Sequence, residues 1–240
     1  MQPFRPRSQR GALPSLGTSY GTSVLGAPLL YHPASREAAG HGLIIAGTHG
    51  DETASVIALS CALRTLGPEA LRHALVLAVN PDGCRFGLRA NARGVDLNRN
   101  FPAANWQSGE TVYRWTSATQ ARDVALATGD QAGSEPETQA LCRLIDDLRP
   151  AWVVSFHEPL ACIEQAPPSP LAQRLAQTFR LPLVESVGYA TPGSFGSWCA
   201  DRGQPCITVE LPAISADAAT HDYLEAMIAL LTDTDGATRS

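Results

Sequence analysis

Gly42-Leu43-Ile44-Ile45-Ala46-Gly47-Thr48-His49-Gly50-Asp51-Glu52-Thr53-Ala54-Ser55 is the stretch on which the reading of this chain turns. Residues 42–47 are short, apolar and β-branched, which predicts a strand buried on both faces. The polar residues 48–52 follow at once. A helical pattern then begins at Thr53, with Val56, Ile57, Leu59, Ser60, Leu63 and Leu66 on one face until Gly67-Pro68 stops it.

The same order recurs along the chain. ALVLAV (74–79) predicts a buried strand that runs into Asn80-Pro81-Asp82-Gly83; AWVVSF (151–156) runs into His157-Glu158; PCITVEL (205–211) carries Glu210 near its end. Helices fill the intervals. Ser134-Glu135-Pro136-Glu137 reads as a capping box for a helix through Leu141, Leu144, Ile145 and Leu148. Ser169-Pro170 opens another, residues 194–202 predict a short one ended by Gly203, and residues 215–231 the last. Residues 20–25 and 28–32 flank Gly26 as a hairpin, residues 1–10 read as a loose arm, and residues 80–133 as a long irregular excursion. Strands alternating with helices predict an α/β fold. It is a single domain over residues 20–240, after an arm of residues 1–19, with a mostly parallel (mixed) central sheet flanked by helices.

Composition narrows the class. At 240 residues, 44% hydrophobic and 17% charged against a usual charged share of about 25%, the chain is no disordered polymer. The net charge is −5 and no basic block occurs, which argues against nucleic acid as a partner. No apolar run approaches the 18 or so residues of a membrane span. The basic first residues lead into no continuous apolar stretch of about 7–15, so a cytoplasmic location is expected. Six cysteines spread without a CxxC pair then read as reduced thiols.

In open α/β sheets ligands bind at the carboxyl ends of the strands, so the four polar segments are expected to face one crevice. His49 and Glu52, three residues apart at a strand-to-helix junction, can project from one face of the first turn. With His157 they make two imidazoles and a carboxylate, a recurring ligand set for a catalytic zinc with one position left open. Glu210, a carboxylate inside an apolar run, suits a general base toward an activated water. Asp96 can accept from the second ring nitrogen of a ligating histidine. Residues 89–100 hold three arginines and three asparagines, the residue types that grip a carboxylate.

His49-x-x-Glu52, Asn80-Pro81-Asp82-Gly83, Gly94-Val95-Asp96-Leu97-Asn98-Arg99-Asn100, His157 and Glu210 stand in the order found in the zinc carboxypeptidases (carboxypeptidase A-like), which the chain resembles from about residue 20 to 231. The longer stretches GTHGDETAS, NPDGCRFGLRANARGVDLNRNFPAANW, GSEPETQALC, AWVVSFHEPLACIE and TPGSFGSWCAD resemble a branch similar to γ-D-glutamyl–meso-diaminopimelate amidases. The resemblance implies one Zn2+ per chain on His49, Glu52 and His157, with Glu210 as general base and Arg89 steadying the oxyanion. Asn98 and Arg99 would hold the terminal carboxylate of a small peptide substrate, murein tripeptide, in peptidoglycan recycling. Many members place a mobile tyrosine over the site; Tyr189 lies near the matching segment with imperfect spacing. Glu158, or the turn at 193–197 that contains Ser194, is expected to read the second amino group of diaminopimelate.

Three other readings stand beside this one. They are an aspartoacylase-like or succinyl-amino-acid deacylase, a cysteine hydrolase pairing Cys162 or Cys199 with His157, and a non-catalytic zinc-containing peptide-binding module. A homodimer is left open by the sequence.

Overall fold

Apolar runs without a polar face need cover on both sides, and the computed structural model, which describes residues 4–35, 40–67, 69–116 and 121–233, provides it. A hairpin of Thr18–Thr22 (β1) and Pro28–Tyr31 (β2) comes first, turning at Gly26. Leu43–Ile45 (β3), the helix Thr53–Thr65 (α1), Ala74–Val76 (β4) and the short helix Pro81–Phe86 (α2) follow. A second hairpin, Glu110–Thr116 (β5) and Ala121–Ala127 (β6), precedes the helix Pro136–Leu148 (α3). Then come Val153–His157 (β7), Leu160–Glu164 (β8), Pro170–Phe179 (α4), Leu183–Val184 (β9), Phe195–Asp201 (α5), Cys206–Pro212 (β10) and Ala216–Thr232 (α6).

The central sheet runs β4-β3-β7-β10-β8-β9. Its first four strands are parallel, β8 is antiparallel to β10, and β9 is parallel to β8. Alternate residues of each strand serve different layers. Ile44, Val154, Phe156, Ile207 and Val209 pack under α1, α4 and α6. Leu43, Ile45, Val76 and Val153 pack under α3, α5, Leu97 and Phe101. Each large side chain so buried contributes about 1.5–3 kcal/mol relative to exposure. Where β7, β10 and β8 meet, the second face carries Ser155, His157, Thr208, Glu210 and Glu164 instead, and these line a cleft.

Several local expectations need correction. The 80–133 stretch is not irregular throughout: it holds α2, whose six residues are too few to show a helical period, and the β5–β6 hairpin, whose Thr111-Val112-Tyr113 run is a strand signal. The capping box does not form. Glu135 occupies the N-cap, Ser134 Oγ donates to Glu135 Oε1 at 2.8 Å, and Glu137 accepts from Val24 N–H at 2.9 Å and Asn91 Nδ2 at 3.2 Å. Long-range donors outcompete the local one. The first residues are not loose: Arg5 N–H donates to Thr65 O at 2.9 Å and Arg64 Nη1 to Arg10 O at 2.8 Å, tying them to the end of α1. Residues 1–3 and 234–240 of the two expected segments lie outside the described residues.

Candidate active site

The segments after β3 and β7 and the end of β10 meet at a cleft of about 1360 Å³. β3 delivers His49 and Glu52, the latter as the N-cap of α1; His157 closes β7; Glu210 lies opposite it on β10 in register. The fourth expected segment does not reach the cleft. Asn80 accepts from Gly83 N–H at 2.9 Å to cap α2 and donates to Ala90 O at 3.0 Å, while Asp82 accepts from Leu25 N–H at 2.9 Å. Asn80-Pro81-Asp82-Gly83 is scaffold.

Three buried side chains converge. His49 Nδ1 lies 2.8 Å from Glu52 Oε1 and His157 Nδ1 lies 2.9 Å from Glu52 Oε2. One ligand atom from each of the three falls within 4.8 Å of the others, close enough to hold one metal ion. The donor set, two imidazole nitrogens and a carboxylate, fits zinc. His49 Nε2 is 3.0 Å from Asp96 Oδ1, which leaves Nδ1 as the nitrogen turned to the cluster and puts Asp96 where it can orient the ring. Asp96 Oδ1 also accepts from Asn98 N–H at 2.9 Å, linking the triad to the turn Leu97–Arg99.

Charge is tightly balanced. Burial alone would raise Glu52, but His49 and His157 hold it well below the usual carboxylate range. Burial would depress His49, yet Glu52 and Asp96 outweigh it and hold the imidazole up at about 9. Arg89 Nη1 donates to Glu52 Oε1 at 2.8 Å, putting its guanidinium at the rim of the triad. Glu210 is pushed up by burial and by the charge of Glu52, against the pull of His157; Leu160 N–H donates to its Oε2 at 3.4 Å.

The remaining expected residues also line the cleft, with varied commitments. Asn98 Oδ1 accepts from Phe195 N–H at 2.9 Å at the start of α5, and Arg99, half-buried, donates to Asn98 O at 2.7 Å. Tyr189 is 56% exposed, at the mouth. Ser194 caps α5, its Oγ accepting from Ser197 N–H at 3.1 Å. Glu158 Oε1 accepts from Ser55 N–H at 3.0 Å in the first turn of α1, and burial pushes its carboxyl up to about 7. That carboxylate is turned to the helix terminus, a favourable place for negative charge.

Sequence reading missed Ser155, Thr208 and Glu164, all of which line the cleft. The signal was present in part: Ser155 stands two before His157 and Thr208 two before Glu210, the strand period. The thiol alternative finds no geometry. Cys162 and Cys199 are buried, and neither lines the cleft. Burial pushes the Cys162 thiol up, and hydrogen bonding to Cys206 together with burial pushes up that of Cys199. His157 faces Glu52 instead.

Comparison with known proteins agrees with this geometry. The family model described as zinc carboxypeptidase matches residues 13–160. Murein peptide amidase A of Escherichia coli strain K12 is 66% identical over 227 residues, covering 95% of this chain and 94% of that protein. Murein peptide amidase A of Vibrio campbellii is 57% identical over 226 residues, with 94% and 91% covered. The crystal structure of the murein-tripeptide amidase of Escherichia coli O157 superposes with a TM-score of 0.93 at 64% identity, over 97% of this chain and 98% of that one. Carboxypeptidase A from Helicoverpa armigera, at 19% identity, shares the fold with a TM-score of 0.67 over 93% of this chain and 68% of its own. With a buried His-Glu-His cluster on a mixed sheet and a family match over more than half its length, the chain is an enzyme that belongs to the zinc carboxypeptidase family.

Proposed function

We propose that this chain is a zinc-dependent amidase that hydrolyses the γ-D-glutamyl–meso-diaminopimelate bond of murein tripeptide, L-Ala-γ-D-Glu-meso-diaminopimelate, in cytoplasmic peptidoglycan recycling. The observation that carries the reading is the buried His49–Glu52–His157 cluster with Glu210, Arg89 and Arg99 lining the same cleft. The activity named for the relatives at 57–66% identity supports the choice of substrate. No helix among the described residues is long and apolar enough to cross a membrane.

His49 Nδ1, Glu52 and His157 Nδ1 would hold the zinc ion. When bound, zinc supplies an acidified water and a Lewis acid for the amide carbonyl. Glu210 takes a proton from the attacking water; its burial, which raises its basicity, suits that task. The same carboxyl then returns the proton to the departing amine of diaminopimelate. Arg89 donates to the charge that develops on the amide oxygen, in a site where a preorganised donor is worth most. Asn98, whose Oδ1 is engaged by Phe195, presents its NH2 group, and Arg99 its guanidinium, to the free carboxylate next to the scissile bond, which fixes the amide over the cluster.

The test is incubation of zinc-loaded protein with the tripeptide and product analysis by mass. Release of free diaminopimelate and L-Ala-γ-D-Glu is expected. Binding without cleavage, or cleavage of N-acyl amino acids in its place, would overturn the assignment.

A further inference from the structure

Beneath the metal cluster the cleft continues down the uncovered sheet face. Thr208 of β10 is opposite Ser155 of β7 on one side and Glu164 of β8 on the other; Glu210, two residues on, is opposite His157 and Cys162. Directly opposed residues present their side chains to the same face. Ser155, Thr208 and Glu164 therefore form a polar row about 7 Å below that of His157 and Glu210, two strand residues at about 3.3 Å each.

Ser155 is 2% exposed, lines the cleft, and its Oγ has no hydrogen-bond partner among the described residues. A buried hydroxyl left unpaired costs about 1–3 kcal/mol, so a ligand group that engages it recovers that energy. Glu164 Oε1 accepts from Val187 N–H at 2.9 Å, which aims the carboxyl without neutralising it. Glu185, next to the Val184 that pairs with Glu164, adds a second carboxylate to this edge of the cleft. The row offers hydroxyl and carboxylate acceptors and no positive charge. Arg89, by contrast, stands at Glu52.

We propose that Ser155, Thr208 and Glu164 form an ammonium-binding subsite, Glu164 as the charged acceptor, which reads the amino group at the far end of the leaving amino acid's side chain. The inference rests on the function proposed above and deepens it. With the free carboxylate at Asn98 and Arg99 and the scissile nitrogen at the metal cluster, the side chain has this direction left to take. Diaminopimelate carries its second amino group beyond three methylene groups, a reach suited to the row. Glu158, whose Oε1 accepts from Ser55 N–H at the start of α1, stands outside this row.

Calorimetric titration of zinc-loaded protein with meso-diaminopimelate and with 2-aminopimelate, which keeps the far carboxylate but lacks the far amine, tests this directly. The wild type should prefer diaminopimelate by roughly tenfold or more, the scale of a charge-assisted hydrogen bond. Glu164→Gln keeps an oxygen for Val187 N–H and should abolish most of the preference, with KM for the tripeptide rising more than kcat falls. Ser155→Ala should weaken diaminopimelate binding several-fold at an unchanged or higher Tm, because the hydroxyl it removes has no partner. A wild-type preference retained in a folded Glu164→Gln protein overturns the proposal. Should that variant fail to fold, Ser155→Ala and Thr208→Val decide, and an unchanged preference in both overturns it equally. Absence of diaminopimelate release by the wild type would instead count against the reaction assigned above.

Discussion

Glu210 ends an apolar strand at 8% exposure and is raised by burial while His157 pulls the other way. Surroundings of this kind favour proton uptake, which suits the base role proposed for it. Glu210→Gln should retain zinc at wild-type stoichiometry and lose roughly 10²–10⁴-fold in kcat, the range of general-base catalysis; metal analysis beside steady-state rates checks both halves. The position was legible because a carboxylate within Cys206-Ile207-Thr208-Val209-Glu210 has no cheap place to go. His49, Glu52 and His157 were legible for the related reason that each follows or ends a buried run. Glu158 follows His157 in sequence and lines the cleft, but its contact with Ser55 N–H, 103 positions away, was not legible from any local pattern.

At the scale of elements, the loop between β3 and α1 is held by a contact no local pattern reveals. A methyl group on Gly50 would overlap the backbone of Gly83 in α2, and Gly50 N–H donates to Arg89 O at 3.3 Å. The Asn80-Pro81-Asp82-Gly83 segment therefore backs the loop that bears His49 and Glu52 without lining the cleft. Gly50→Ala is expected to destabilise the protein by about 1–3 kcal/mol through overpacking. It should also weaken zinc affinity, read by competition with a chelator, while Gly11→Ala, with open space around it, leaves that affinity unchanged. Long apolar strands and their following helices were readable. β8 was not, because Leu160-Ala161-Cys162-Ile163-Glu164 has one β-branched residue, nor was β9, whose two residues carry no pattern; they supply the edge that holds Glu164.

Taken as a whole, the molecule couples its stability to acid through a histidine remote from the chemistry. His73, 4% exposed, accepts from Gly42 N–H at 3.0 Å through Nδ1 and contacts Asp233 O at 2.9 Å through Nε2. Burial pushes it down to about 4, and protonation would break the Gly42 bond. Its folded value lies below the unfolded one near 6.5, so its contribution is complete above pH 6.5 and is lost as the pH falls toward 4. That contribution is at most about 3 kcal/mol. Denaturant unfolding from pH 7 to 4 should show a shallower loss in His73→Gln than in the wild type; parallel curves would exclude this linkage. The α/β class followed from alternation alone, whereas the antiparallel edge and the polar sheet face that lines the cleft rest on strand pairings between segments far apart in the chain.

X-ray absorption at the zinc edge of the loaded protein tests the central claim most directly. Two imidazole nitrogens at about 2.0–2.1 Å and carboxylate oxygen at about 2.0–2.2 Å are predicted, with one imidazole lost in His157→Ala. Sulfur at about 2.3 Å, or a spectrum unchanged in His157→Ala, would contradict it.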